Sequence, residues 1–378
     1  MKLYRMFLVT VILLLCIPKF CFIECSAETD IYNEIYKAGN AQEIERNIPD
    51  EAEKFLDGID IKNPESISEL TPEKIFRKIM KEIREKSEAP LKMLISVIAV
   101  ILLSVMTEGI ADSEKSKGIR KIFGILCVLV CITIIAEPLS ECFLTVSRSI
   151  NSVAEFMMTF TPVFTGIIIV SGGITSAGCY QLLIFAVSQI AIQVSNSVFM
   201  QIIGMCMALA VVDAINPCIS LGGLINGLKK AVTWGLGLTM TIFTGLLSIQ
   251  SIVGSSVDGL TSKTAKFLIS GFIPVIGGAV SEAYATVKGS LAVLRGSTGA
   301  IGIAVIFAII LPSVIRVVLY MLTLNIAEIL SEIFGVNSLN KLFKSMGAVA
   351  GMAFATVMCF SLMLIVSTAI VIMTSTGV

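Results

Sequence analysis

The side chains in this sequence best able to do chemistry are polar residues set among apolar ones. In the apolar run 179–200, Gln181, Gln189, Gln193 and Asn196 recur at spacings of eight, four and three, which puts them along one face of a helix. Amides on such a face either line a wet path or hydrogen-bond a neighbouring helix, and both roles turn the face inward. Glu137 before Pro138, Asp213 just ahead of Asn216-Pro217, and Arg316 after Leu311-Pro312 are the charges set closest to apolar surroundings. Each also suits a helix end, with Arg316 snorkelling to an interface. The expected membrane-depth partner of Arg316 is Glu137, with Glu328 as competitor and snorkelling alone as the alternative.

Other chemistry lacks its parts. There is no histidine, so no Ser, Cys or Thr can be paired with the commonest general base. No G-x-x-x-x-G-K-[ST] loop is present, and the pairs Gly172-Gly173, Gly222-Gly223 and Gly277-Gly278 read as packing or kink glycines. Cys127 and Cys131 share a helical face without further ligands nearby, and the ten cysteines read as small hydrophobes rather than a disulfide framework. Net charge is zero, against a nucleic-acid partner. The expectation is a protein that is not an enzyme and carries no cofactor or metal.

The elements that must position these residues are membrane helices. Of 378 residues 55% are hydrophobic and 15% charged, a composition that belongs in a bilayer. Residues 1–27 read as a secretory leader: Lys2 and Arg5, an apolar run, then Cys25-Ser26-Ala27 before the cut, with an uncleaved anchor as the alternative. Residues 28–90 are charged and polar with apolar residues at helical spacing, which predicts a small helical extracytoplasmic domain. Its last helix starts at Thr71-Pro72-Glu73 and aligns Ile75, Phe76, Ile79, Met80 and Ile83 in one stripe, facing a neighbouring subunit, the membrane surface or its own domain. Residues 91–378 form a multi-pass domain with apolar segments at 92–110, 122–136, 156–171, 179–200, 202–215, 233–249, 267–280, 300–322 and 346–373. The expected fold is therefore all-α: a polytopic helical membrane protein of seven to nine transmembrane helices. An exported ectodomain puts the loop holding Lys115, Lys117, Arg120 and Lys121 in the cytoplasm, together with Lys229, Lys230, Lys288 and Arg295.

Two stretches about 112 residues apart share F-x-P-V-x-x-G, as Phe160, Pro162, Val163 and Gly166, and as Phe272, Pro274, Val275 and Gly278. Matched Pro/Gly-broken apolar segments in two halves of a membrane protein point to its working centre. Pro162, Gly166, Pro274 and Gly278, with Gln189, Gln193 and Asn196, are thus the candidate pore or gate. The candidate repeat units are 92–200 and 202–322, followed by a final helix at 346–373. The units are parallel if the proline segments span and inverted if they are re-entrant.

The run KFLISGFIPVIGGAVSEAYATVKGSLAVL (266–294), VSGGITSAG (170–178) and the order leader, ectodomain, spans resemble the stage III sporulation protein AE family of spore-forming bacteria over nearly the whole chain. The resemblance implies a multi-pass protein of the mother-cell membrane around the forespore. It also implies partners, namely other membrane and ring-forming subunits of a trans-envelope, secretion-like channel complex and its separate ATPase. Membrane lipid is the remaining partner. No catalytic residue is established for the family, so none transfers. Two functions stay open: the membrane core of such a complex, or a stand-alone secondary permease with its site at the broken segments. N-terminal sequencing of membrane-inserted protein should find a mature chain beginning at Glu28; an intact Met1 would remove the export argument and the topology built on it.

Overall fold

A computed structural model describes residues 72–110, 117–215, 221–272 and 277–376, and these are helical apart from short turns. Helix α1 is Pro72–Lys86, α2 Glu88–Ile110, α3 Lys117–Val170 and α4 Ile174–Gln193. A π-helical turn, Val194–Phe199, carries α4 into α5, Met200–Ile215. Then come α6 Gly222–Phe272, α7 Gly277–Ile333 and α8 Asn337–Thr376. The leader and residues 28–71 of the expected ectodomain lie outside the described residues.

Six helices among the described residues are long and apolar enough to cross a membrane, against the seven to nine expected. Fusion removes two of the nine expected segments, and a third, 267–280, runs across residues 273–276, which lie outside the described residues. Segments 122–136 and 156–171 belong to one helix, α3, and 179–200 and 202–215 to the continuous α4–α5 rod. Pro138 and Pro162 in α3, and Pro312 in α7, do not end their helices. A proline inside an apolar bundle is tolerated where hydroxyls and neighbouring helices re-satisfy the backbone. Beside Pro162, Thr161 donates to the Met157 carbonyl at 2.5 Å and Thr165 to the Pro162 carbonyl at 2.9 Å, although neither is the Met158 carbonyl that Pro162 itself leaves without a donor. Four charged residues, Glu137, Glu141, Arg148 and Glu155, are also carried mid-helix, each on an exposed face. The 40-residue span of α7 is about 60 Å long, twice a bilayer core of about 30 Å.

Helix α8 is the centre of the bundle, packed against α3, α4, α5, α6 and α7. Helices α3 and α7 run antiparallel in one unbroken register. Thr145 meets Arg316, Ser149 meets Ser313 at 2.5 Å, Phe160 lies over Gly302, and Ser171 reaches the Leu291 carbonyl. The rings of Phe156, Phe160 and Phe164 stack down this seam, and Phe164 meets the edge of Tyr180 from α4. Helix α6 instead exposes Trp234, Leu238, Ile242, Leu246 and Ile249 along its outer side, the composition of a lipid-facing surface.

One expectation about charge is corrected, the depth and partner of Arg316. Lys229, Lys230, Lys288 and Arg295 lie within helices α6 and α7, and Arg295 is only 4% exposed. Arg316 is mid-helix, because α7 runs on to Ile333. Its Nη1 donates to Thr145 Oγ1 at 3.1 Å, so the partner is a hydroxyl on α3 and not Glu137, which is exposed.

The α3–α7 seam makes a sharp packing test. A Cβ on Gly302 would stand 2.5 Å from Cζ of the fully buried Phe160 ring. Gly302→Ala should therefore cost about 1–3 kcal/mol and lower the unfolding midpoint of the purified protein. Gly245→Ala, with nothing within 4 Å of the added Cβ, should leave the midpoint unchanged or slightly raised.

Candidate functional site: a carboxylate-capped break in the bundle

The sequence VSGGITSAG folds into a three-residue break between α3 and α4. Helix α3 ends at Val170, Gly172 takes φ 86°, and the Gly173 N–H returns to the Ile168 carbonyl at 2.9 Å. This is the glycine-dependent closure that satisfies the last carbonyls of a helix. Helix α4 then starts at once from Gly173, which has no side chain with which to cap it.

The cap comes from α6. Asp258 accepts from the Thr175 N–H and the Ser176 N–H at 3.0 Å each, and from Ser176 Oγ at 2.6 Å. A carboxylate on the first turn satisfies orphan donors and meets the positive end of the helix dipole. The approach depends on absent side chains. A Cβ on Gly254 would lie 2.8 Å from Ser176 Oγ and 3.2 Å from its Cα, and one on Gly173 would meet Ile168 Cγ2 at 2.9 Å.

Arg295 completes the network from α7. Its Nη2 donates to the Val371 carbonyl on α8, and its guanidinium feels the charge of Asp258 and the phenol of Tyr180. Its Nε has no hydrogen-bond partner, nor does the buried hydroxyl of Thr298 one turn further along α7. Tyr180 OH bonds Thr368 of α8 at 3.1 Å. An adjoining pocket of about 10 Å³, lined by Ser176, Leu247, Gln250, Ser251, Ile370 and Val371, has room for one water. Among the described residues no three His, Cys, Asp or Glu side chains gather as a metal site. The arrangement holds four helices by charge and hydrogen bonds at a single break, and its chemistry is electrostatic.

Of the residues singled out from sequence, Asp213 plays the matching role at the other end of α6. Only 3% exposed, it accepts from the Leu221 N–H at 2.5 Å and the Gly222 N–H at 3.3 Å. Pro162 is exposed and Gly166 half-buried, both within unbroken α3. Gly278 lies in the first turn of α7, and Pro274 falls outside the described residues. Gln189, Gln193 and Asn196 are exposed, and so is Ile190 between them. Gln189 and Gln193 therefore face away from their own bundle, contrary to the inward face expected, whereas Asn196 lies at the edge of the contact with α3. Asn196 Oδ1 accepts from Ser147 Oγ at 3.2 Å and Asn151 Nδ2 at 3.1 Å, and Gln193 bonds Ser197 at 3.2 Å. The row crosses the π-helical turn, a feature frequent at functional sites.

Sequence reasoning missed Asp258 and Arg295, since GSSVDGLTSK and LRGSTG have the composition of loops. One signal was present. A helix opening on Gly-Gly inside apolar surroundings has no cap of its own, so an acid must come from elsewhere in the chain.

Comparison with known proteins adds the following. The family model described as Stage III sporulation protein AE matches residues 60–375. The chain is similar to the Stage III sporulation protein AE of Bacillus subtilis (strain 168), 24% identical over 219 residues, which is 58% of this chain and 55% of that relative. The alignment thus spans only about half the relative's length. No solved structure matches the chain.

Asp258→Ala should destabilise the purified protein by about 1–2 kcal/mol, the range for a lost helix cap, and Asp258→Asn, which keeps an acceptor, by less. In the double variant with Arg295→Met the two losses should be less than additive in thermal unfolding, because the guanidinium stranded by the first change is gone. Strict additivity would show that Arg295 and Asp258 act independently.

Proposed function

The chain belongs to the stage III sporulation protein AE family, and on that premise we propose that it is a membrane component of the trans-envelope, secretion-like channel complex that links mother cell and forespore. In this reading it sits in the mother-cell membrane around the forespore and does no catalysis. Its partners are the other membrane and ring-forming subunits and a separate ATPase that supplies the energy.

The observation that carries the reading is the outward amide row. Gln189, Gln193 and Asn196 are exposed on the outer side of an apolar rod, and Arg148 and Glu155 are exposed on α3, whose Ser147 and Asn151 bond Asn196. Polar side chains facing lipid are costly, so this surface calls for a protein neighbour or a water-filled space. A subunit of an assembly has such neighbours. A stand-alone permease working at the Pro/Gly-broken segments finds less support, because Pro162 faces outward and α3 is unbroken there.

Replacing Gln189 and Gln193, which bond no other helix among the described residues, together by Leu should leave protein abundance unchanged. It should weaken co-purification of envelope partners from sporulating cells about tenfold, the effect of losing about 1.4 kcal/mol of association free energy, and lower spore yield with it. Undiminished co-purification and yield would count against the assembly reading.

A further inference from the structure

Helix α1, PEKIFRKIMKEIREK, carries two apolar faces rather than the single stripe expected. Ile79 and Ile83 pack against the hydrophobic core. Phe76 and Met80, the neighbouring row on the helix, are 60% and 49% exposed. Since the isoleucines fix the rotation of α1, Phe76 and Met80 are held outward.

Their surroundings select the occupant. Arg84 continues the row one turn beyond Met80, and Arg77 and Lys81 follow Phe76 and Met80 by one residue; all three are exposed. The helix carries six Lys or Arg against three Glu. Arg77 is paired with Glu73 at 2.5 Å and Lys81 approaches Glu85 at 3.9 Å, so part of this charge is balanced within the helix and a cationic surplus is left. Position adds the rest. One residue, Ser87, separates α1 from the span that begins at Glu88. That junction is stiffened by Ser87 Oγ donating to the Arg84 carbonyl at 2.9 Å and by the Leu91 N–H donating to the Ser87 carbonyl at 3.0 Å. An amphipathic, net basic helix tied without slack to the start of a span is held at the level of the lipid headgroups, where apolar side chains enter the acyl boundary and cations meet phosphates.

We propose that α1 binds an anionic bilayer surface, with Phe76 and Met80 inserted at the headgroup–acyl boundary and Arg77, Lys81 and Arg84 among the lipid phosphates. This surface is separate from the amide row and does not depend on the assembly reading.

The chain has a single tryptophan, Trp234, which makes an optical test direct. Full-length protein carrying Trp234→Phe and Phe76→Trp is placed in nanodiscs of phosphatidylglycerol or of phosphatidylcholine, with and without bromine on the acyl chains. The expected result is blue-shifted emission, quenched by brominated lipid in the anionic discs, and markedly weaker quenching in the neutral discs or at high salt. Adding Arg77→Glu and Arg84→Glu should abolish the difference between the two lipids. Met80→Trp in the same background is an independent reporter if Phe76→Trp does not fold. Unquenched, water-like emission in both lipids would overturn the proposal and leave the face to a protein partner. Equal quenching in the two lipids would overturn it too, by removing the role of charge.

Discussion

A helix that begins inside apolar surroundings leaves N–H groups with no water to take them, and this requirement shapes the bundle. The α3–α4 break meets it with Asp258, more than eighty residues away in sequence, whose carboxylate holds the Thr175 and Ser176 N–H groups. The start of α6 meets it with Asp213 of α5. In each case the acid and the helix it caps come from different elements, so the cap is also a tertiary contact. Melting the α3–α4 break means exposing a carboxylate and orphan amides to an apolar medium together, which makes that break rigid.

That rigidity reaches the rest of the bundle through close backbone approach. Gly254 lets α6 meet Ser176, and Gly299 and Gly302 let α7 take up the side chains of Ile372, Phe164 and Phe160. Arg295, one turn before Gly299, ties the same level of α7 to the Val371 carbonyl on α8. Without a strong hydrophobic force between helices in lipid, such small-residue contacts and interhelical hydrogen bonds supply the cohesion. The antiparallel register of α3 and α7, kept from Thr145–Arg316 to Ser171–Leu291, follows from the ends being fixed in this way.

Much of this was legible in the sequence, and the exceptions have physical causes. The all-helical class, the start of α1 at Pro72 and the helix-end role of Asp213 follow from composition and local cap chemistry, which act over a few residues. The number of helices did not follow, because loops were inferred where charge or proline interrupted apolar runs. Glu137 to Glu155 and Pro162 are instead carried inside a 54-residue α3. Arg295 and Asp258 were hidden for the complementary reason. Their local sequence is polar, and only the continuation of α6 and α7 through it places them against α4 and α8. The facing of the Gln189–Asn196 row was beyond periodicity altogether. Spacing shows that residues share a face, and only packing decides which way that face turns.

The polar residues finally divide by what their own chain asks of them. Asp213, Asp258 and Arg295 are each engaged by backbone groups of other elements, so their cost of burial is offset within the fold. The amides are different. Asn196 and Gln193 spend part of their capacity on neighbouring hydroxyl and amide groups, while Gln189, exposed on the same row, has no side-chain hydrogen bond among the described residues. Donors and acceptors left over on an apolar rod stabilise nothing in a single copy, and removing them would cost the fold little. On the assembly reading proposed above, what retains meaning for them is a surface laid against the rod from outside, on α4 and the π-helical turn.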